Sequence, residues 1–117
     1  MSYVDGFIAA VPKENKEKYL AHAEKASVVF KEYGAIKVVE CWGDDVPEGE
    51  VTSFLLAVQC KENETVVFSW VIWPSKSERD EAWAKIMEDE RMNPENNPMP
   101  FDGKRLIYGG FDKILEA

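Results

Sequence analysis

The segment Val66-Val67-Phe68-Ser69-Trp70-Val71-Ile72-Trp73, closed by Pro74, is apolar on both of its alternating faces. Val66, Phe68, Trp70 and Ile72 fall on one side of a strand, and Val67, Val71 and Trp73 on the other. Such a strand has to be covered on both sides, which places it inside a sheet. Residues 3–11 form a second, almost continuously apolar strand that ends at Pro12. Two strands of this kind demand more cover than a short chain can easily supply.

The segments around them define the rest. From residue 14 or 15 to 33, Tyr19, Ala23, Ala26, Phe30 and Tyr33 recur at helical spacing, and Gly34 stands where a left-handed terminator belongs. Residues 35–43 read as a strand carrying Lys37 and Glu40, followed by an acidic, turn-rich loop over 44–50. Residues 52–60 fit a strand through Phe54, Leu56, Val58 and Cys60, or a short helix capped by Thr52 or Ser53; the helix is preferred. Ser75-Lys76-Ser77-Glu78 matches a capping box and opens a second long helix, with Ala82, Trp83, Ile86 and Met87 on one face and its end near Glu90 or Arg91. Residues 93–100, rich in Pro and Asn, are loop, and the last strand is expected over 104–111.

The order is strand–helix–strand twice over, which predicts one domain spanning 1–117 of α+β class: a ferredoxin-like βαββαβ sandwich with an antiparallel sheet. Strands one and three should be central, and the charged strands two and four should lie at the edges. Two long helices cover one face of such a sheet. The other face would expose aromatic and β-branched side chains beyond what a monomer tolerates, so a homodimer through the open face is expected.

Composition narrows the function classes. Fourteen Lys and Arg against 22 Asp and Glu give this 117-residue chain a net charge of −8. That acidic surface repels phosphate backbones, and no basic cluster offsets it, so no nucleic-acid partner is expected. No apolar run approaches the roughly 20 residues of a membrane helix, and no secretory leader is visible, so neither membrane insertion nor export is expected. Cys41 and Cys60 form neither a disulfide framework nor a metal-ligand spacing, which fits reduced thiols in a cytoplasmic protein.

Particular stretches resemble a known family. Tyr3-Val4-Asp5-Gly6-Phe7, Val39-Glu40-Cys41-Trp42-Gly43-Asp44-Asp45-Val46-Pro47, Trp73-Pro74-Ser75-Lys76 and Met99-Pro100-Phe101-Asp102-Gly103-Lys104-Arg105, with Tyr108-Gly109-Gly110-Phe111, are similar to the YbaA-like bacterial proteins. The resemblance spans essentially the whole chain. It implies a conserved domain of unknown function within the dimeric α/β-barrel superfamily, whose subunits pack sheet against sheet. It carries over no catalytic residues and no cofactor.

In that superfamily ligands tend to lie between helices and sheet, and four residues could serve such a pocket. Asp5, in an apolar central strand, is a general base if unpaired, or a structural carboxylate if bonded to a Lys or Arg from an edge strand. His22, at the margin of the first helix's apolar stripe, is a base, an axial haem ligand or a partly exposed surface residue. Glu40 faces a pocket, the dimer interior or water. Tyr108, before Gly109-Gly110, offers a hydroxyl beside either a bulge or a close approach. Asp102 and Arg105 flank a turn and are placed to pair across it.

Three classes of function follow. One is a small protein that binds or transforms an organic molecule through Asp5, His22, Glu40 and Tyr108, with no cofactor expected. The alternative is a non-catalytic interaction or regulatory module, and haem or metal handling through His22 comes third.

Overall fold

The computed structural model describes residues 2–117. Its sheet has four antiparallel strands in the order β2-β3-β1-β4, formed by β1 (Tyr3–Pro12), β2 (Lys37–Trp42), β3 (Glu64–Trp73) and β4 (Ile107–Asp112). Strands one and three are central and their partners are edges. With helices α1 (Lys16–Glu32) and α3 (Lys76–Ile86), this is the α+β ferredoxin-like sandwich.

Helix α1 buries Tyr19, Ala23, Ala26, Val29 and Phe30 on the sheet. It stops at Gly34, whose φ of 111° an L side chain rarely adopts. The Gly34 amide donates to the Lys31 carbonyl and the Ala35 amide to the Phe30 carbonyl, which closes a Schellman motif. Helix α3 starts where its capping residue predicts, with Ser75 Oγ accepting from the Glu78 amide at 3.2 Å. Residues 52–60 contain the short helix α2 (Phe54–Ala57), capped by Ser53.

Four expectations need correction. Helix α3 ends at Ile86 rather than near residue 90; a separate 3-10 turn, Glu90–Met92, follows, with Asp89 accepting from the Arg91 amide at its start. Met87, the C-cap of that helix, keeps helical φ and ψ but is 78% exposed, outside the buried face. The last strand begins at Ile107, because residues 103–105 form a 3-10 turn capped by Asp102. Third, Gly109-Gly110 is no bulge: β1 and β4 pair one to one from Tyr3↔Asp112 to Ile8↔Ile107. Gly110 is needed for close approach, since a Cβ there would lie 2.5 Å from the Tyr3 hydroxyl and 2.8 Å from Arg79 Nη2. Fourth, the second sheet face is not wholly bare. Val58 and Leu55, around α2, pack on Ala10 and Val66 at one end of it.

The remainder of that second face carries Val4, Ile8, Val39, Trp70 and Ile72 together with the exposed Phe68, Ile107 and Phe111. Both cysteines are free thiols. Among the described residues no helix is long and apolar enough to cross a membrane.

Candidate functional site

The inner face of α1 alternates large and small side chains: Tyr19, then Ala23 and Ala26, then Phe30. Opposite these alanines lies Ala9 of β1. Small residues facing one another across a helix–sheet layer leave unfilled space where a core would otherwise close. The result is a cavity of about 550 Å3 between α1, α3 and the sheet. Phe7, Phe30, Val71, Trp83, Phe101 and Leu106 give it a mainly apolar wall, and the exposed Met87, Met99 and Tyr108 mark where it opens.

All four residues singled out in the sequence, Asp5, His22, Glu40 and Tyr108, line this one cavity. Strand register explains the convergence, because Asp5, Tyr108 (opposite Phe7) and Glu40 (opposite Ser69) all belong to the helix-covered face. Their chemical situations differ sharply.

Asp5 is buried, and every lone pair it could offer is engaged. One oxygen accepts from Trp73 Nε1 at 2.9 Å and Trp83 Nε1 at 2.8 Å. The other accepts from Arg79 Nε at 3.0 Å and Nη2 at 2.7 Å. Its cation therefore comes from α3, not from an edge strand as expected. A carboxylate so saturated has no vacant position from which to take a substrate proton; it acts as the post to which α3 and two indoles are tied. The same bonds raise the pKa of Arg79, whose guanidinium also reaches Asp80 and stacks over Tyr3.

Glu40 keeps solvent contact along its edge strand, yet its carboxylate meets the cavity wall. Tyr19 donates its hydroxyl to Oε1 at 2.6 Å. Burial raises the Glu40 pKa, while hydrogen bonds from Tyr19 and Ser69 oppose that rise. Tyr19 is raised as well, first by burial and then by the charge of Glu40, so its proton stays on the phenol.

His22 is half-buried, with Nδ1 3.0 Å from Asn97 Oδ1. Asn97 is itself buried and donates Nδ2 to the His22 carbonyl at 3.2 Å. That donation turns the amide oxygen toward the ring, so His22 Nδ1 is the donor and Nε2 carries the lone pair. Burial lowers the His22 pKa, against the opposing influence of Asn97 and the Pro98 carbonyl, which keeps the ring neutral near pH 7. A neutral imidazole oriented by a third group is suited to accept a hydrogen bond or a proton. Tyr108, 73% exposed, stands at the opening.

Sequence reasoning missed Tyr19, Ser69, Arg79 and Asn97. Tyr19 and Arg79 had a signal, being a polar tip inside an apolar stripe and a basic residue one turn ahead of Trp83. Ser69 is the one polar residue in the run 66–73, which is also a signal. Asn97 had none, because a Pro- and Asn-rich loop does not disclose which amide folds inward. Among the described residues no three His, Cys, Asp or Glu side chains gather as metal ligands.

Comparison with known proteins places the chain in a family. Residues 2–103 match the family described as "Protein of unknown function (DUF1428)", and the chain belongs to that family. It is similar to the "Uncharacterized protein YbaA" of Escherichia coli strain K12, 55% identical over 116 residues covering 99% of each chain. The protein of the same name from Shigella flexneri matches to the same extent.

Proposed function

We propose that this protein binds a small, largely apolar organic molecule in the cavity between the helices and the sheet, as a cytoplasmic homodimer. The cavity itself carries the reading: its volume of about 550 Å3 lies within the roughly 300–1,000 Å3 usual for ligand sites, and its apolar wall is broken by a few convergent polar groups. Of those groups, His22 Nε2 and the Glu40–Tyr19 pair hold unused capacity for a ligand, whereas Asp5 and Arg79 satisfy each other. If chemistry accompanies binding, His22 is the residue fitted to move a proton.

The test is a thermal-shift screen of small metabolites on the wild type and on the double variant Ala23→Leu/Ala26→Leu, whose longer side chains fill the cavity. A ligand at about 100 times its dissociation constant adds roughly 2.7 kcal/mol to the wild type. The filled variant should melt no lower than about the wild type and respond to none of the hits. Hits that stabilise both proteins equally would place binding elsewhere.

Charge supports association through the open sheet face. Two copies that each carry −8 repel one another unless they meet on a surface without carboxylates. Among the paired positions of that face, Lys37 is the one charged side chain apart from Glu64, which Arg105 neutralises. Phe68 is 45% exposed and Phe111 62%, both suited to burial against a second copy. Sedimentation at micromolar concentration should give a particle of twice 13.3 kDa. Phe68→Glu should sediment as a single chain, and a wild type that is already a single chain contradicts the association. The cytoplasmic setting is supported by the two free thiols.

A further inference from the structure

The sheet buries two carboxylates, Asp5 and Glu64, and each has an arginine; a third, the solvent-touching Glu40, lines the cavity. Arg79 Nη2 lies 2.7 Å from Asp5, and Arg105 Nη2 lies 2.7 Å from Glu64. Glu40 is the exception. Its side chain reaches the cavity, where it meets the Tyr19 hydroxyl and lies near Ser69, but no described residue brings a cation to it. The ammonium of Lys16, on the same helix as Tyr19, stacks instead over Trp42, 5.5 Å from the ring centroid. Two hydroxyls occupy only part of what a carboxylate can accept.

The groups around Glu40 suit a positive charge. Tyr19, His22 and Phe101 pack against one another with centroids 5.7 to 6.2 Å apart, and their outer faces give the cavity beside Glu40 an aromatic wall on which a cationic head can rest. His22 in its neutral form adds an acceptor and no repulsion. An anionic ligand would meet Glu40 with no free cation among the described residues that line the cavity, because Arg79 is already spent on Asp5 and Asp80. The net charge of −8 also concentrates cations at the surface.

We propose that Glu40 is the counter-ion for the ligand, and that the cavity takes a small hydrophobic amine whose ammonium lies between Glu40 and the Tyr19–His22–Phe101 rings. This rests on the cavity-binding reading above and gives its ligand a chemical class. The apolar body of the amine would extend along Ala23, Ala26 and Phe30 toward Trp83.

Isothermal calorimetry with 2-phenylethylamine and its uncharged isostere 2-phenylethanol tests this. At pH 7 the wild type should bind the amine tighter than the alcohol on the order of tenfold or more, as expected for a hydrogen bond to a charged group. Glu40→Gln retains an oxygen for Tyr19, so the fold should persist. It should remove the preference, the amine losing far more affinity than the alcohol. Added salt should weaken the amine alone. Equal affinity for both probes, or an amine preference that survives Glu40→Gln, overturns the counter-ion role. If the alcohol then still binds, and Ala23→Leu/Ala26→Leu abolishes it, the cavity reading stands without this inference. If neither probe binds, or both bind the filled variant unchanged, the cavity reading fails and the inference with it.

Discussion

Asp5→Ala should destabilise the fold by roughly 3–5 kcal/mol, the cost of removing one partner from a buried ion pair. The Asp5 side chain is 4% exposed and that of Arg79 24%, so the carboxylate is the more deeply placed half. Its removal strands two indole N–H groups, Trp73 Nε1 and Trp83 Nε1, as well as the guanidinium. Trp73 is fully buried and has no second partner for its proton among the bonds described. Asn at this position should rescue little, because an amide presents two donors to donors already in place. Arg79→Met should cost less than Asp5→Ala, since both indoles keep an acceptor. Urea unfolding checks all three: the midpoint should fall with the slope unchanged, in the order Asp5→Ala, Asp5→Asn, Arg79→Met. A loss below about 1 kcal/mol for Asp5→Ala would mean that water reaches this network freely.

Arg105→Ala should also lower stability at neutral pH, by less than Asp5→Ala. Arg105 ties the turn before β4 to Glu64 with two bonds, at 2.8 and 2.7 Å. It also holds Asp102 at 3.0 Å and the Gln59 carbonyl at 2.8 Å. The Asp102–Arg105 pairing anticipated across the turn is therefore one arm of a clamp that reaches the α2 loop, where Gln59 sits at a φ of 49°. Hydrogen bonds from Arg105 depress the Glu64 pKa below its ordinary value. A depressed carboxylate stabilises the fold above its unfolded pKa and loses that contribution as pH falls through the folded pKa. The difference between wild type and Arg105→Ala should thus be greatest near pH 7 and narrow as pH drops below about 4.5, which denaturant melts across that range would show. A difference independent of pH would assign the loss to packing of the guanidinium rather than to its charge.

Much of the fold was legible because hydrophobic period and terminators agree along this chain. The apolar run at 66–73 announced a central strand, Gly34 closed α1, and Ser75 opened α3. Errors fell where tertiary bonds override local pattern. Met87 continues a helical stripe in sequence, yet the helix ends at Ile86 so that Asp89 can bind Arg91 and the Tyr33 hydroxyl, which donates at 2.8 Å. Lys104 and Arg105 alternate like strand residues, but the Asp102 cap and the Glu64 clamp hold them in a turn. At Gly109-Gly110 the sequence leaves a bulge and a close approach both open, because it cannot show that Tyr3 and Arg79 cross the Gly110 backbone.

The site was half legible. Parity along β2 puts Glu40 on the face of Val38 and Trp42, and Asp5 reads only as a carboxylate in a central apolar strand, with the face that meets the helices left open. Nothing in that parity revealed whether a carboxylate would find an arginine. Asp5 does, through a helix 74 residues away in sequence, whereas Glu40 does not. The cavity has a sequence trace only in retrospect: alanine at 9, 23 and 26, between the larger Tyr19 and Phe30.

The most direct measurement is a map of where a small molecule binds. With 15N-labelled protein, titrating in the strongest hit of the thermal-shift screen should move the Trp83 indole N–H and the backbone amides of Ala23, Ala26 and Val71, while Trp70 and Phe68 on the opposite face stay fixed. Shifts confined to Phe68, Trp70 and Phe111, with the cavity amides unmoved at saturation, would contradict a ligand site between helices and sheet.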